Sequence, residues 1–168
     1  DQIPVLSPTR TRVAGTASLN RAIQEAVNPP SPDRPERRFG EYVFRQGDRV
    51  MQVRNNYDVV WKDGLTSGMG IFNGDIGRII RVDNREQTLT VDFEGRQVEY
   101  TPDMLVELEP AYAITVHKAQ GSEYRAVVLS VSEGPSVLLT RGVLYTAITR
   151  ARELLILVGD EEVVAAMT

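Results

Sequence analysis

The chain has 168 residues, 42% of them hydrophobic and 25% charged, the balance of a folded domain and too apolar for intrinsic disorder. It has no cysteine and His117 is its only histidine, which excludes disulfide frameworks, thiolate chemistry and any multi-histidine metal site. The net charge of −4 argues at first sight against a polyanion-binding protein, and the absence of an eighteen-residue apolar run argues against a transmembrane helix.

Val5 and Leu6 read as a short buried strand ending at Ser7-Pro8. Thr16 then caps a helix over 17–27, with Leu19, Ile23, Ala26 and Val27 at helical spacing, and Asn28-Pro29-Pro30 stops it. Residues 28–38 carry four prolines with Arg34, Arg37 and Arg38, the composition of a connector. From Glu41 to about Leu108 the rhythm is that of short alternating strands: Leu89, Val91 and Phe93, then Val98 and Tyr100. Turns at Asn73-Gly74, Asp83-Asn84 and Glu94-Gly95 separate them at the spacing of a small β-barrel. Beyond Pro110, residues 126–131 (AVVLSV) and 154–158 (LLILV) are the continuous apolar runs of strands buried on both faces of a parallel sheet. Residues 139–151 between them read as a helix anchored by Leu144 and Ile148. The pattern is an α/β layer, residues 1–40 and 109–168, interrupted by an inserted small β-barrel at 41–108.

The charge is unevenly spread. Residues 83–109 hold eight acids against Arg85 and Arg96, so the remainder of the chain is slightly basic, and its cations are almost all arginine. Arginine suits bidentate phosphate contacts, although genomic base composition explains the bias equally well. The start, Asp1-Gln2-Ile3-Pro4, lacks the pattern of a signal peptide, and a cytoplasmic location without membrane association is the default expectation.

Two segments carry the chemistry. In Tyr112–Glu123, the polar residues Thr115, His117, Lys118, Gln120 and Ser122 surround Gly121 at the mouth of the expected sheet, where open α/β sheets bind ligands. The plainer alternative is a capped surface helix with His117 a partly buried structural residue. In Gly142–Arg152, Arg150 and Arg152 lie near the end of the expected helix and complement its dipole. That account leaves unexplained the two threonines, Thr146 and Thr149, in so short a helix.

Read together, ITVHKAQGSE (114–123) and YTAITRAR (145–152) resemble motifs V and VI of superfamily 1 DNA helicases. Ile148-Thr149-Arg150-Ala151 favours the RecD-like branch, which includes the alpha subunit of exodeoxyribonuclease V, over Pif1-like and relaxase helicases with a serine–arginine version. VLSPTR (5–10), a helix with Leu19-Asn20, MQVRNNYD (51–58) and FNGDIG (72–77) are similar to the same branch. The last two match a small Src-homology-3-like barrel.

The resemblance implies a partial RecA-like parallel-sheet second motor domain of the P-loop NTPase type, carrying that barrel as an insertion. It implies that Glu123 approaches the nucleotide ribose and that Gly121 lets backbone near the phosphates. Arg150 would reach the γ-phosphate as the catalytic cation. Thr115 and His117, with Thr9 and Arg10 as weaker candidates, would face single-stranded DNA. Asn55, Asn56 and Tyr57 either touch DNA from the barrel or shape its loop, the second being preferred.

No GxxxxGK[ST] phosphate loop occurs, so ATP and Mg2+ would be held with the first RecA-like motor domain, and no metal or cofactor by these residues alone. Asp160-Glu161-Glu162 reads as an acidic helix start, not a metal site. The implied whole is an ATP-dependent helicase, travelling 5′-to-3′ in recombination and repair, whose partners are single-stranded DNA, the N-terminal motor domain and other helicase–nuclease subunits. The rivals are a stand-alone, non-catalytic module binding single-stranded DNA or protein and, last, a nuclease, for which clustered carboxylates are wanting.

Overall fold

The computed structural model describes residues 3–168. Strand β1 (Val5–Ser7) and helix α1 (Thr16–Val27) come first. Short strands follow: β2 (Glu36–Phe39), β3 (Tyr42–Arg45), β4 (Arg49–Gln52), β5 (Asn56–Asp63), β6 (Thr66–Ile71), β7 (Ile76–Asp83), β8 (Thr88–Phe93), β9 (Arg96–Tyr100) and, after a 3₁₀ segment at Pro102–Glu107, β10 (Leu108–Pro110). Then come β11 (Ala113–Thr115), β12 (Tyr124–Val131), α2 (Arg141–Ile148), β13 (Ala151–Gly159) and α3 (Glu161–Ala166). Among the described residues no helix is long and apolar enough to cross a membrane. The chain forms two compact units, one comprising residues up to Ile23 with Tyr112–Thr168, the other Gln24–Ala111.

The first unit is built on a four-stranded sheet in the order β11-β1-β12-β13, parallel throughout. Val127, Leu129 and Val131 of β12 are buried, with Leu6 of β1 and Ile114 of β11 beside them. Strand β13 departs from the expectation of burial on both faces. It lies at the edge, paired only with β12, and Leu154, Ile156, Leu157 and Val158 are 41–53% exposed. An apolar β-branched run specifies extended backbone, but whether its faces are covered depends on what lies beyond the edge.

Helix α2 is shorter than the expected 139–151. The Thr140 hydroxyl caps it by accepting from the Val143 N–H, and Ala151 already belongs to β13. Leu144 and Ala147 anchor it, while Ile148, expected to do so, is 42% exposed. The threonines have a local explanation: Thr146 Oγ1 donates back to the Gly142 carbonyl (2.8 Å) and Thr149 Oγ1 to that of Thr146 (3.0 Å). Helix α3 starts at the acidic triplet as expected, with the Asp160 carboxylate accepting from the Glu162 N–H at 2.9 Å.

The second unit is an antiparallel seven-stranded sheet, ordered β10-β4-β7-β8-β9-β5-β6, around a core that includes Phe44, Val50, Ile71, Ile79, Val91, Phe93 and Tyr100. Its turns fall where the sequence placed them, with Gly74 at φ +99° and Glu94-Gly95 at +54° and +95°. The proline-rich connector is partly structured: β2 and β3 form a hairpin, and Arg34 donates to Asn28 Oδ1 at 2.7 Å. A buried polar network joins that hairpin to the end of α1. Asp48, 2% exposed, accepts from Gln24 (2.6 Å), Asn28 (2.6 Å) and the Arg45 N–H (2.7 Å). Arg45 pairs with Glu25 and Glu36; burial opposes its charge, but those two carboxylates outweigh it and raise its pKa.

The buried face of α1 differs from the expected one. Thr16, Asn20 and Gln24 are buried, at four-residue spacing, whereas Val27 is 62% exposed. The stripe is polar because Asn20 and Gln24 find side-chain hydrogen-bond partners there, Asn20 with the Ala113 backbone and Gln24 with Asp48 and the Val43 carbonyl.

Candidate functional site

Register determines where the candidate residues of the parallel sheet stand. Ser7 of β1 is level with Thr115 of β11, and Leu6 with Leu129 near the far end of β12. Thr9, Arg10, Thr115 and His117 therefore gather beyond the carboxyl ends of β1 and β11. Gly121 and Glu123 precede β12, and Arg150 precedes β13, at the opposite edge. At about 3.3 Å per residue, the two groups are separated by about 20 Å along the strands. The expectation that the polar residues of 115–122 surround Gly121 at one mouth is thus corrected: this segment crosses the height of the sheet, because parallel strands must be re-entered from the other end.

At the carboxyl edge, Thr9 is 5% exposed, its hydroxyl donating to the Thr11 carbonyl (3.1 Å) and its N–H to Ser7 Oγ (3.2 Å). It shapes the loop, and Arg10 is the exposed member of the pair. Thr115 Oγ1 accepts from the Lys118 N–H at 3.3 Å and its carbonyl from the Ala119 N–H at 3.1 Å, closing a turn in place of the capped helix of the plainer reading. Val116 and Ala119 point inward from that turn, leaving His117 exposed, not partly buried. A cleft of about 630 Å³ at the same edge is lined by Arg12, Glu133, Asp160 and Glu162, carboxylates that oppose a phosphate ligand. Among the described residues no group of three or more His, Asp or Glu is arranged to hold a metal ion.

At the amino edge the two motif segments meet. The Tyr124 N–H donates to the Arg150 carbonyl at 2.8 Å, tying the start of β12 to the end of α2. The Arg150 guanidinium donates from Nε to the Thr146 carbonyl (3.1 Å), from Nη1 to the Ser122 carbonyl (2.8 Å) and from Nη2 to Thr149 Oγ1 (3.2 Å). It is half-buried and retains N–H groups to donate elsewhere. Gly121 has φ +88° with open space where a Cβ would stand, so it serves the chain reversal and leaves its backbone approachable.

Arg152 is the residue whose place the sequence concealed. It lies in β13, beyond the helix whose dipole it was expected to complement, and it is ion-paired to Glu123 at 2.7 Å. The next pair along, Arg125 of β12 with Glu153 of β13 at 2.9 Å, bridges the two strands.

In the antiparallel unit, Asn56 Oδ1 accepts from the N–H groups of Asp58 (3.2 Å) and Val59 (3.1 Å), and Nδ2 donates to Glu107 (3.0 Å). Asn55 Oδ1 accepts from the Asn73 N–H at 2.9 Å. Both amides fix the start of β5, which carries Tyr57, whose exposed ring meets Phe72 edge-on at 5.6 Å.

Comparison with known proteins gives a consistent pattern. Residues 19–93 match the model of the ATP-dependent RecD-like DNA helicase SH3 domain, and residues 110–158 that of the UvrD-like helicase C-terminal domain. The chain is 37% identical over 151 residues to the ATP-dependent RecD2 DNA helicase of Deinococcus radiodurans, covering 90% of this chain and 19% of that protein. It is 31% identical over 167 residues to the RecBCD enzyme subunit RecD of Haemophilus influenzae, covering 97% of this chain and 22% of that one. It therefore spans about a fifth of the length of these relatives. The crystal structure of Bacteroides Pif1 bound to ssDNA superposes with a TM-score of 0.59 at 20% identity, over 92% of this chain and 40% of that one, a likeness of fold. The architecture is accordingly a partial RecA-like parallel sheet with a small Src-homology-3-like barrel.

Proposed function

The chain belongs to the RecD-like superfamily 1 DNA helicases, and from that premise we propose that it is the C-terminal motor region of an ATP-dependent enzyme that unwinds DNA. In this reading ATP sits between the amino edge of the parallel sheet and a first motor domain carrying the phosphate loop that these 168 residues lack. Mg2+ accompanies the nucleotide, its protein ligands belonging to that first domain.

The observation that supports the reading is the meeting of Ser122-Glu123 with Arg150 and Arg152, residues distant in sequence, on one sheet edge. Closure of the two motor domains brings the remaining N–H groups of Arg150 to the γ-phosphate, where a fixed cation stabilises charge developing in the transition state. The Thr146 and Ser122 carbonyls hold the guanidinium in place before the nucleotide arrives, so little reorganisation is left for the reaction itself. Gly121 allows the backbone near the phosphates, and Glu123 accepts a hydrogen bond from the ribose.

Single-stranded DNA crosses the opposite, carboxyl edge past Thr115 and His117, with Arg10 adding a cation and Thr9 shaping the loop behind it. These contacts position the strand without reading its sequence. Because the two ligands occupy opposite edges of one rigid sheet, motion driven by ATP at one edge displaces DNA at the other. We assign travel in the 5′-to-3′ direction and a role in recombination and repair, alone or with helicase–nuclease subunits, by likeness to the family.

Strand displacement by the parent polypeptide on duplexes with a 5′ or a 3′ single-stranded tail tests the proposal. ATP-dependent unwinding of the 5′-tailed substrate, lost in Arg150→Ala while ATP still binds, is expected. Unwinding that survives Arg150→Ala removes the assignment of that residue, and unwinding only of the 3′-tailed substrate removes the polarity.

A further inference from the structure

Resting on the reading of Glu123 as the ribose-facing carboxylate, we infer that Arg152 is its positioning residue, holding one carboxylate oxygen so that the other is presented to a sugar hydroxyl. The register of β12 and β13 carries the inference. Tyr124 stands opposite Ala151 and Ala126 opposite Leu154, so Arg152 and Glu153 together face the single residue Arg125. This is a β-bulge in a parallel pair, an uncommon feature that re-aims side chains and recurs beside active sites.

In a regular strand, consecutive residues point to opposite faces. Here both reach the face shared by Glu123 and Arg125: Arg152 bonds Glu123, and Glu153 bonds Arg125. Without the extra residue only one of the two pairs could form.

The partners of each charge are then sorted. Arg125 occupies Glu153 through both carboxylate oxygens, so Glu153 does not divert its neighbour Arg152. Arg150 is engaged with the Ser122 and Thr146 carbonyls and does not compete for Glu123. Arg152 places both Nε and Nη2 on the same oxygen of Glu123, Oε2, each at 2.7 Å. Oε1 has no partner among the described residues. A carboxylate gripped at one oxygen keeps its plane fixed while the other accepts from a hydroxyl, which lowers the ordering cost of binding. Both side chains are more than half exposed, 66% for Arg152 and 51% for Glu123, and exposed ion pairs contribute little to folding, so orientation is the effect that remains.

Steady-state kinetics of the parent enzyme with ATP and with 2′,3′-dideoxy-ATP, in the wild type and in Arg152→Ala, Arg152→Lys, Glu123→Gln and the double variant, test the inference. Arg152→Ala should raise KM for ATP about three- to tenfold while leaving kcat and the KM for the dideoxy analogue nearly unchanged. Arg152→Lys should recover part of the preference for ATP, and adding Arg152→Ala to Glu123→Gln should cost nothing more. The melting temperature should not move. An equal rise in KM for both nucleotides, or a fall in melting temperature alone, overturns the role. If Glu123→Gln abolishes the sugar preference and Arg152→Ala preserves it, this inference alone falls. If Glu123→Gln preserves the preference, the nucleotide reading of Glu123 falls with it.

Discussion

The side-chain amide of Asn20 in α1 makes a reciprocal pair with the backbone of Ala113 in β11, donating to its carbonyl and accepting from its N–H, each at 2.8 Å. Ala113 is on the outermost strand, and Asn20 satisfies there the groups that a further strand would otherwise pair. Because both backbone groups are buried, Asn20→Leu should cost about 2 to 4 kcal/mol, the penalty of leaving a donor and an acceptor without partners. Urea unfolding should show a lowered midpoint, whereas Arg21→Ala, on the exposed face of the same helix, should stay within about 0.5 kcal/mol of the wild type.

Tyr100 is fully buried, and its hydroxyl donates to Gln52 Oε1 at 2.7 Å. Burial first, then the charges of Glu107 and Asp75, push its phenol above the ordinary tyrosine range. Above about pH 10 the unfolded chain releases this proton while the folded chain keeps it. The folded state therefore binds more protons there, and its stability, intact below that pH, falls as pH rises. Tyr100→Phe should flatten the alkaline fall in unfolding free energy. At pH 7 it should cost about 1 to 3 kcal/mol, because Gln52 Oε1 loses its donor. Denaturant titrations between pH 7 and 11 measure both effects.

Phosphate release by the 168-residue chain alone, with and without single-stranded DNA, should equal the background rate, since the lysine-bearing phosphate loop is absent from its sequence. In the parent, Arg150→Ala should lower kcat by about 10³ to 10⁵, roughly 4 to 7 kcal/mol of barrier, with a much smaller effect on nucleotide binding. A loss confined to KM would mean that Arg150 binds nucleotide in the ground state and does not serve the transition state.

His117 is exposed beyond the carboxyl end of β11, whereas Thr9 is buried and spends its hydroxyl within its own loop. In the parent, His117→Ala should weaken binding to an oligothymidine several-fold without changing stability. Thr9→Val should lower stability by about 1 kcal/mol, the worth of its internal hydrogen bond, and affect DNA only through the loop. Fluorescence anisotropy with parallel melting curves separates the two. Unchanged affinity in His117→Ala would move the DNA path off this edge.

Local chemistry is what the sequence carried without help. Asn73-Gly74 and Glu94-Gly95 announce their turns because Gly74 and Gly95 adopt positive φ at little cost, and Asp160 announces α3 because its carboxylate caps the helix next to it. The strings 114–123 and 145–152 were likewise legible as motifs, being contiguous. What depended on partners distant along the chain was not. The hydrophobic pattern of α1 pointed to Leu19, Ile23 and Val27, but Asn20 and Gln24 are the buried pair, since a polar group is buried where a distant backbone or carboxylate receives it. The run Leu154–Val158 specified a strand but could not say that the strand lies at an edge. The bulge that turns Arg152 toward Glu123, and the sheet height that separates Glu123 from His117, are properties of register. Register is set by pairing between strands, and it exists only once the chain has folded.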